Sequence, residues 1–324
     1  MSACKNESSQ IRRLMVELLT PIHIGSGVSY REYYMEGLRV FRIDLEGVTK
    51  DREFSKYERV LVDSALKGDV GFSIYKIAPD LIKRHILYSV EAFEQNIRGE
   101  IREHIKSNGK PYLPASSLKG ALLTALLWKY IKEGEIRVDR YHFNLRGRES
   151  GGAFVGILNQ LFEKICENPL PTERTNDREG RRGRFRRWIG ISDPRPAEIR
   201  SLRVVGIKVY PRGPQMTAEV MWTGTTFEVD LFKYSGLKMT IDDVLKASDD
   251  FYRNVLSEEN AWRRTMGLEE LRFEGKTLVR VGWGSSQLAT SVRLAVRTAY
   301  QLNKPRTRKL VTPGMLPMGW ALLK

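Results

Sequence analysis

Apolar and polar residues alternate along several stretches of the chain, and such alternation predicts β-strands. The strands expected on this basis cover residues 12–20, 38–45, 202–210, 217–222, 226–232, 278–281 and 320–323. Apolar residues at helical spacing predict helices near 51–67, 153–166, 240–265 and 287–301. In the element at 111–133, an extended piece that ends at Pro114 runs into a helix that ends near Glu133. The stretch 92–105 stays open, because its apolar spacing fits a helix while a pair of strands is also possible.

The predicted elements follow a similar order in the two halves of the chain. Each half has a strand, a hairpin and helices, and each ends with an extended piece that runs into a serine-capped apolar helix. This order favours an α+β fold of two ferredoxin-like (RRM-like) modules with antiparallel sheets. We expect the modules to cover residues 1–188 and 189–324, with a long basic surface insertion at about 144–187 in the first.

The charge of the chain points to a polyanionic partner. The chain has 54 Lys and Arg residues and 39 Asp and Glu residues, which gives a net charge of +15 and a pI near 9.8. Nucleic acid is the commonest such partner, because each neutralised phosphate releases a counterion. No apolar run reaches the ~20 residues of a membrane span, and the first residues lack a signal-peptide core. We therefore expect a cytoplasmic protein with no membrane partner; charge alone does not separate RNA from DNA.

Arginines are concentrated in two places. In the insertion, Arg181, Arg184, Arg186 and Arg187 surround Phe185 and form a nearly single-signed run. Such a run is often a solvated surface, but interleaved aromatics favour contact with RNA. A second, smaller cluster contains Lys304, Arg306, Arg308 and Lys309.

Three short segments combine glycine or serine with a position for phosphate contact. In TPIHIGSG, the predicted contacts are His23, Gly25, Ser26 and Gly27, because glycines allow backbone amides to approach a phosphate closely. The alternative is a plain turn at the end of a strand. In PASSLKG, Ser116 and Ser117 are expected to cap a helix whose N-terminus, with Lys119, attracts a phosphate. The segment lacks the first glycine of a Walker loop, so nucleotide hydrolysis is not expected.

The third segment, GWGSSQ, repeats the same logic late in the chain. Gly282, Gly284, Ser285 and Ser286 are its predicted RNA contacts, and Trp283 either stacks on a base or fills the core. The four histidines, His23, His85, His104 and His142, stand apart in the sequence, and the two cysteines lack metal-ligand spacing. No catalytic residue, metal or cofactor is therefore predicted. A metal-independent ribonuclease with one histidine as its base stays open as the alternative.

Four motifs occur in the order that is typical of the RAMP superfamily, the ferredoxin-like RNA-binding proteins of CRISPR systems. They are TPIHIGSG, PASSLKGALLTAL, VGWGSSQLATSV, and KPRTRKL followed by PMGW at 317–320. Together they resemble specifically the Csm-type subunit at the 3′ end of the guide RNA in type III-A effector complexes. The chain departs from the family pattern at Ala115, where a glycine is usual, and at Leu123, where a basic residue is frequent.

The resemblance implies a non-catalytic subunit that binds the 3′ part of the CRISPR RNA and caps the backbone filament in antiviral defence. The implied partners are the guide RNA, the repeating backbone RAMP subunit, the small helical subunit and target RNA. The main alternative is an endoribonuclease that processes CRISPR RNA, since it would share the ferredoxin-like fold. A general basic RNA chaperone or ribosome-associated factor is a third possibility.

Overall fold

The computed structural model describes residues 11–66, 75–95, 97, 99–138, 151–167, 189–234, 236–291, 293–296, 305–312 and 314–324. Most of the predicted insertion lies outside these ranges; its described part, 151–167, contains the helix that was expected at 153–166.

Strands form two main sheets and a short ribbon within the described residues. The strands are β1 (Ile11–Leu18), β2 (Gly25–Tyr30), β3 (Tyr33–Glu36), β4 (Arg39–Ile43), β5 (Ile86–Ala92), β6 (Ile101–His104), β7 (Lys106–Ser107), β8 (Lys110–Pro111), β9 (Ile189–Ile191), β10 (Leu202–Tyr210), β11 (Gln215–Met221), β12 (Thr226–Lys233), β13 (Leu278–Arg280), β14 (Arg308–Thr312), β15 (Leu316–Pro317) and β16 (Trp320–Leu323).

Helices connect these strands. They are α1 (Leu45–Lys50), α2 (Glu58–Leu66), α3 (Pro79–Arg84), α4 (Ala115–Lys132), α5 (Gly151–Ile165), α6 (Ile241–Thr265) and α7 (Arg293–Val296), with 3-10 turns at Phe54–Lys56 and Ile199–Ser201. No helix in these described ranges is long and apolar enough to cross a membrane.

The first sheet has the strand order β13–β16–β1–β12–β9 and is antiparallel throughout. Its central strand β1 buries Leu14, Val16 and Leu18 and exposes the intervening Met15, which confirms the alternation expected there. Helices α4 and α6 pack on each other and against this sheet. The main core lies at this contact, where Tyr252 donates a hydrogen bond of 3.3 Å to the carbonyl oxygen of Ala121.

The second sheet has the order β2–β6–β11–β10–β5–β4–β3, with β14 also beside β10 and β15 beside β14. It is mixed rather than antiparallel, because β5 pairs with β10 and β6 pairs with β11 in parallel. The expectation of purely antiparallel sheets was therefore wrong. Both parallel pairs join strands that are far apart in sequence, so no hairpin motif in the sequence predicts their pairing.

Strands from both halves of the chain share both sheets. In the first sheet, β1 lies between β12 and β16; in the second, β5 and β6 pair with β10 and β11. The predicted boundary at residue 188 consequently does not separate the sheets. The α+β class is confirmed, and the division into two ferredoxin-like modules stays a prediction. The main hydrophobic core likewise contains residues from both sides of this boundary.

Local signals explain where the long helices begin. Thr240 precedes α6, and its hydroxyl accepts a hydrogen bond from the amide of Asp243 while the Asp243 carboxylate accepts one from the amide of Thr240. This capping box confirms the helix expected at 240–265. The open stretch 92–105 forms strands, since β5 ends at Ala92 and β6 begins at Ile101. The helix expected at 287–301 is shorter among the described residues, where only Arg293–Val296 is helical.

Candidate nucleic-acid interface

Three of the predicted motifs meet through backbone hydrogen bonds. The amide of Trp283 donates to the carbonyl oxygen of His23 at 2.8 Å, and the amide of Gly319 donates to that of Pro21 at 3.0 Å. The amide of Val281 in turn donates to the carbonyl oxygen of Gly319 at 2.8 Å. We call this assembly the glycine junction; it comprises residues 20–27, 281–286 and 317–320. The two glycine loops of the sequence therefore lie at one site.

Glycine is required at two positions where the three motifs touch. Gly282 has φ +82°, and a Cβ atom there would lie 2.6 Å from the carbonyl oxygen of His23. Gly319 has φ +98°, and its Cβ would lie 2.4 Å from the carbonyl oxygen of Val281. Any other residue would combine a strained backbone with a clash against a fixed carbonyl group. These two glycines hold the loops together.

The outer side of the glycine junction is open to solvent at the start of β2. Gly25, Ser26 and Gly27 are all exposed. The hydroxyl of Ser26 donates to the carboxylate of Glu103 at 3.0 Å and accepts a hydrogen bond from the amide of Val28 at 3.2 Å. This short turn keeps the backbone of the predicted phosphate loop at the surface, and its contact with RNA stays a prediction.

His23 does not point outward, although the sequence analysis placed it among the RNA contacts. Its side chain is buried, and Nδ1 lies 2.7 Å from the carbonyl oxygen of Glu219, so Nδ1 carries the proton and donates. The ring also packs edge-on against Trp283 and His104 at centroid distances of 5.5 and 5.9 Å. Burial lowers the pKa of the His23 imidazole, which is therefore neutral at pH 7. His23 positions the junction instead of contacting RNA.

A buried carboxylate supports the glycine junction from below. Glu219 on β11 is fully buried and accepts hydrogen bonds from the hydroxyls of Tyr30 and Tyr88 at 2.8 and 2.7 Å. Its second oxygen accepts from the amide of His104 at 3.0 Å and from the ammonium group of Lys106 at 2.6 Å. With both oxygens satisfied, the buried charge is paired, and β2, β5, β6 and β11 are tied together beneath His23.

Two cations converge on the half-exposed indole of Trp283. The guanidinium carbon of Arg102 lies 4.9 Å from the ring centroid, and the ammonium nitrogen of Lys309 lies 4.3 Å from it. Within the described part of the chain, neither cation forms an ion pair with a carboxylate. Burial, and then the charge of Arg102, lower the pKa of the Lys309 ammonium group. This arrangement, which we call the Trp283 cation cluster, carries unneutralised positive charge beside an aromatic face.

A pocket of about 490 Å³ opens next to this cluster. Its lining joins the late glycine loop to the segment before β14: Val209, Gly282, Gly284, Ser285, Ser286, Gln287, Thr290, Pro305, Thr307, Arg308 and Lys309. We call it the Ser286 pocket, because Ser286 adopts φ +71° and its buried hydroxyl has no hydrogen-bond partner in the described structure. The late loop and the second basic cluster of the sequence thus come together.

Arg308 lines this pocket, but its guanidinium group points into the protein. Its Nε donates to the Glu259 carboxylate at 2.8 Å, and a second nitrogen donates to the carbonyl oxygens of Pro305 and Thr307 at 3.0 and 3.1 Å. The same Glu259 oxygen accepts from Arg280 at 3.1 Å. The expectation that the Arg308 side chain contacts RNA is therefore corrected to a structural role. Arg306 is exposed, and its RNA contact stays a prediction.

The N-terminus of α4 differs from the expected phosphate site. The helix begins at Ala115 without a side-chain cap from Ser116 or Ser117; instead the carboxylate of Asp193 accepts a hydrogen bond from the amide of Ala115 at 2.8 Å. Ala115 is helical, so the absent family glycine costs no backbone strain. Ser116 is exposed, whereas Ser117 and Lys119 are half-buried. Because a carboxylate already occupies the positive end of the helix, this position is less suited to a phosphate than the sequence suggested.

The sequence matches the model of the RAMP superfamily over residues 15–285, a span that includes the second half of β1, the Glu219 network and most of the late glycine loop. The chain belongs to the RAMP superfamily.

Relatives of this RAMP protein come from CRISPR systems. A curated protein of Methanocaldococcus jannaschii, "CRISPR system Cms protein Csm5", is 31% identical over 260 residues, which are 74% of this chain and 53% of the relative. The chain therefore spans about half the length of that relative. A chain in the cryo-EM structure of a Csm–crRNA–target RNA ternary complex of a type III-A system aligns with a TM-score of 0.68 and 23% identity, over 97% of this chain and 100% of that one. The crystal structure of T. onnurineus Csm5 aligns with a TM-score of 0.66 and 20% identity, over 95% and 99%. The latter two similarities concern the fold.

Several predicted features of this RAMP protein fall beyond the described ranges. Arg181, Arg184, Arg186 and Arg187, Lys304 and His142 lie outside the described residues. The rings of His23 and His104, which are far apart in the sequence, contact each other at a centroid distance of 5.9 Å. Among the residues described, no group of His, Cys, Asp or Glu is arranged to hold a metal ion.

Arg102 and Glu219 were missed by the sequence analysis. Arg102 lies in the open stretch 92–105; once that stretch is a strand, alternation with the buried Ile101 places Arg102 at the surface. Glu219 lies in the alternating strand β11, where a charged residue is not expected at an inward position. Neither residue has a sequence signal of its own, because each acquires its role from partners that are distant along the chain.

Proposed function

We propose that this RAMP protein is a non-catalytic RNA-binding subunit of a type III-A Csm complex. In this role it binds the 3′ part of the guide RNA and caps the backbone filament in antiviral defence. The observation that carries the RNA-binding proposal is the Trp283 cation cluster: two cations without carboxylate partners lie against a half-exposed indole, beside an exposed glycine turn in the described structure.

The chemistry of that surface fits single-stranded RNA. Cations neutralise phosphates and release counterions, while an aromatic face stacks on any base, so the surface gives affinity with little sequence preference. The exposed backbone of Gly25, Ser26 and Gly27 adds amides that a phosphate can approach closely. The net charge of +15 extends the attraction over longer distances.

The absence of catalysis is part of the proposal. A general base needs a proton acceptor within reach of a substrate, and the buried imidazoles of His23 and His104 face protein groups. Nε2 of His85 lies 2.8 Å from the Asp51 carboxylate, away from the glycine junction. No observation on the described residues favours the alternative of a CRISPR RNA-processing endoribonuclease.

The assignment to a Csm complex is supported by the kinship with the M. jannaschii protein and by the fold shared with a chain of a Csm–crRNA–target RNA assembly. On this basis the proposed partners are the guide RNA, the repeating backbone RAMP subunit, the small helical subunit and target RNA. Its place at the end of the filament would leave the cutting of target RNA to other subunits.

Copurification tests this proposal. The tagged full-length chain would be purified from its native host, and both RNA and bound proteins would be identified. We expect a short guide RNA together with the other Csm subunits, and we expect Arg102→Ala/Lys309→Ala to reduce the RNA that the free subunit retains. Arg12→Ala/Lys50→Ala is the matched control, because it removes the same charge from exposed ion pairs elsewhere.

Two results would contradict the proposal. Recovery of the protein without Csm subunits but with mixed cellular RNA would favour a general RNA chaperone. Cleavage of a repeat hairpin by the purified chain, lost on His23→Ala while the fold is retained, would favour the endoribonuclease.

A further inference from the structure

The Ser286 pocket has features that internal packing does not explain. Ser286 holds φ +71°, a conformation that a residue with a Cβ atom rarely adopts, and it lies between the left-handed Gly284 and the exposed Gln287. Its hydroxyl is buried without a partner among the described residues. A strained backbone and an unsatisfied buried hydroxyl at the same residue both cost free energy, and both are typical of ligand sites.

The wall opposite Ser286 is rigid and carries positive charge. The guanidinium group of Arg308 holds the carbonyl oxygens of Pro305 and Thr307, so the segment before β14 is fixed. Behind it, Arg280 and Arg308 share the single carboxylate of Glu259, which leaves one positive charge in excess. Since these side chains are almost fully buried, solvent screens that charge weakly.

The remaining lining suits the base and sugar of a nucleotide. Val209 and Pro305 offer apolar surface, while Thr290, Thr307 and Gln287 offer hydroxyl and amide groups that can donate and accept hydrogen bonds. The volume of about 490 Å³ falls in the range of about 300–1,000 Å³ that is usual for small-ligand sites.

Lys309 connects this pocket to the proposed RNA surface. Lys309 is one of the lining residues, and its ammonium nitrogen lies 4.3 Å from the Trp283 ring centroid. A strand that crosses the Trp283 cation cluster therefore passes the mouth of the pocket. A phosphate next to Lys309 would bring the attached nucleoside within reach of Ser286 and Gln287.

We propose that the Ser286 pocket receives one nucleotide of the bound RNA, turned out of the strand, with its phosphate at Lys309 and its base and sugar against Ser286, Gln287 and Thr307. This inference rests on the proposed function, because it needs RNA on the neighbouring surface. In this proposal the protein contacts RNA bases in two ways: one base is enclosed in the Ser286 pocket, and another stacks on Trp283.

Photocrosslinking tests this inference. The full-length protein would be irradiated with single-stranded RNA that contains 4-thiouridine, and the crosslinked residues would be mapped by mass spectrometry. We expect crosslinks at Gln287, Thr290 or Thr307, because a 4-thiouracil ring enclosed in the pocket touches these side chains. Thr307→Trp fills the pocket and should abolish these crosslinks; Thr226→Trp, which adds the same indole at an exposed position on β12, should leave them unchanged.

Gln287→Ala provides a second variant that adds no bulk. Gln287 is exposed, so its truncation leaves the core intact; we expect fewer pocket crosslinks and RNA binding weakened about fivefold. Pocket crosslinks that persist unchanged in both Thr307→Trp and Gln287→Ala would overturn the inference.

The remaining outcomes separate this inference from the proposed function. If RNA binds in an Arg102- and Lys309-dependent way but crosslinks only outside the pocket, the inference fails and the proposed function stands. If the wild-type chain binds no RNA, both fail.

Discussion

The amide of Trp283 donates a hydrogen bond of 2.8 Å to the carbonyl oxygen of His23, and this contact joins two loops that are 260 residues apart along the chain. This contact places the buried side chain of His23 and the partly exposed side chain of Trp283 at the same site. The His23 ring packs under the junction, while the Trp283 ring lies beside Arg102 and Lys309 at its surface. Backbone hydrogen bonds fix the two loops against each other. The His23 side chain then packs inside the protein, and the Trp283 side chain lies at the surface that we propose binds RNA.

Gly282→Ala should destabilise the protein more than a substitution that only strains the backbone. Both Gly282 and Gly27 have positive φ, but only a Cβ at Gly282 meets another atom, at 2.6 Å; a Cβ at Gly27 meets nothing within 4 Å. We expect a loss of about 2–4 kcal/mol in the free energy of unfolding for Gly282→Ala and about 1 kcal/mol for Gly27→Ala. Urea denaturation measures both values, and equal losses would show that the contact with His23 is unimportant.

Glu219→Gln should be destabilising, because it removes the closer of the two carboxylates that pair with the nearly buried ammonium group of Lys106 and leaves only Glu103, at 3.3 Å. The Lys106 side chain is 9% exposed and lies 2.6 Å from Glu219. We expect a loss of about 3–5 kcal/mol. Adding Lys106→Met should recover part of it, since the double variant no longer places a nearly buried ammonium group beside a neutral amide. Strictly additive losses in this double-mutant cycle would argue against the ion pair as the cause.

The stability of the protein should fall with pH below about 6.5 partly because of His104. Burial lowers the pKa of His104 to about 3 in the folded state, so the unfolded chain binds the proton first. Stability from this group is complete above the unfolded pKa and is lost as the pH falls toward 3, by up to about 1.4 kcal/mol per pH unit. His104→Gln should flatten the pH dependence of the free energy of unfolding between pH 6 and 4. An unchanged slope would contradict the buried, neutral state of His104.

Adjacent residues Arg308 and Lys309 should behave in opposite ways. Arg308→Met removes a partner of the buried Glu259, so we expect a loss of about 3 kcal/mol in stability, since Arg280 still pairs with that carboxylate. Lys309→Ala should change stability by less than about 0.5 kcal/mol and should weaken RNA binding. Thermal unfolding and RNA titrations on both variants check this division. A stable Arg308→Met protein would show that the internal ion pairs are dispensable.

The sequence was most informative where local rules decide the structure. The strand-like run around Leu14 and Val16 predicted β1, and apolar residues at helical spacing predicted α6. The stretch 92–105 stayed ambiguous because spacing by four residues satisfies a helix and does not exclude strands. Its strand character follows from pairing with β10 and β11, which lie more than 100 residues away. No local pattern contains that information.

The sequence predicted which loops form the candidate site, but it did not predict which way their side chains point. Glycines marked both loops of the junction, but the burial of His23 depends on Glu219, 196 residues away. The role of Arg308 likewise depends on Glu259, and the N-terminus of α4 depends on Asp193. Each of these polar groups was expected to face a phosphate, and each instead has a protein partner. A charged residue in a sequence does not reveal whether a distant opposite charge will neutralise it.

The central claim is that the Trp283 cation cluster neutralises RNA phosphates, and the salt dependence of binding tests it most directly. The dissociation constant for single-stranded RNA would be measured over a range of salt concentrations for the wild type, Arg102→Ala/Lys309→Ala and the control Arg12→Ala/Lys50→Ala. We predict that the logarithmic salt slope falls by about 1 for each cluster cation removed and stays unchanged in the control. An equal slope in all three proteins would contradict the claim.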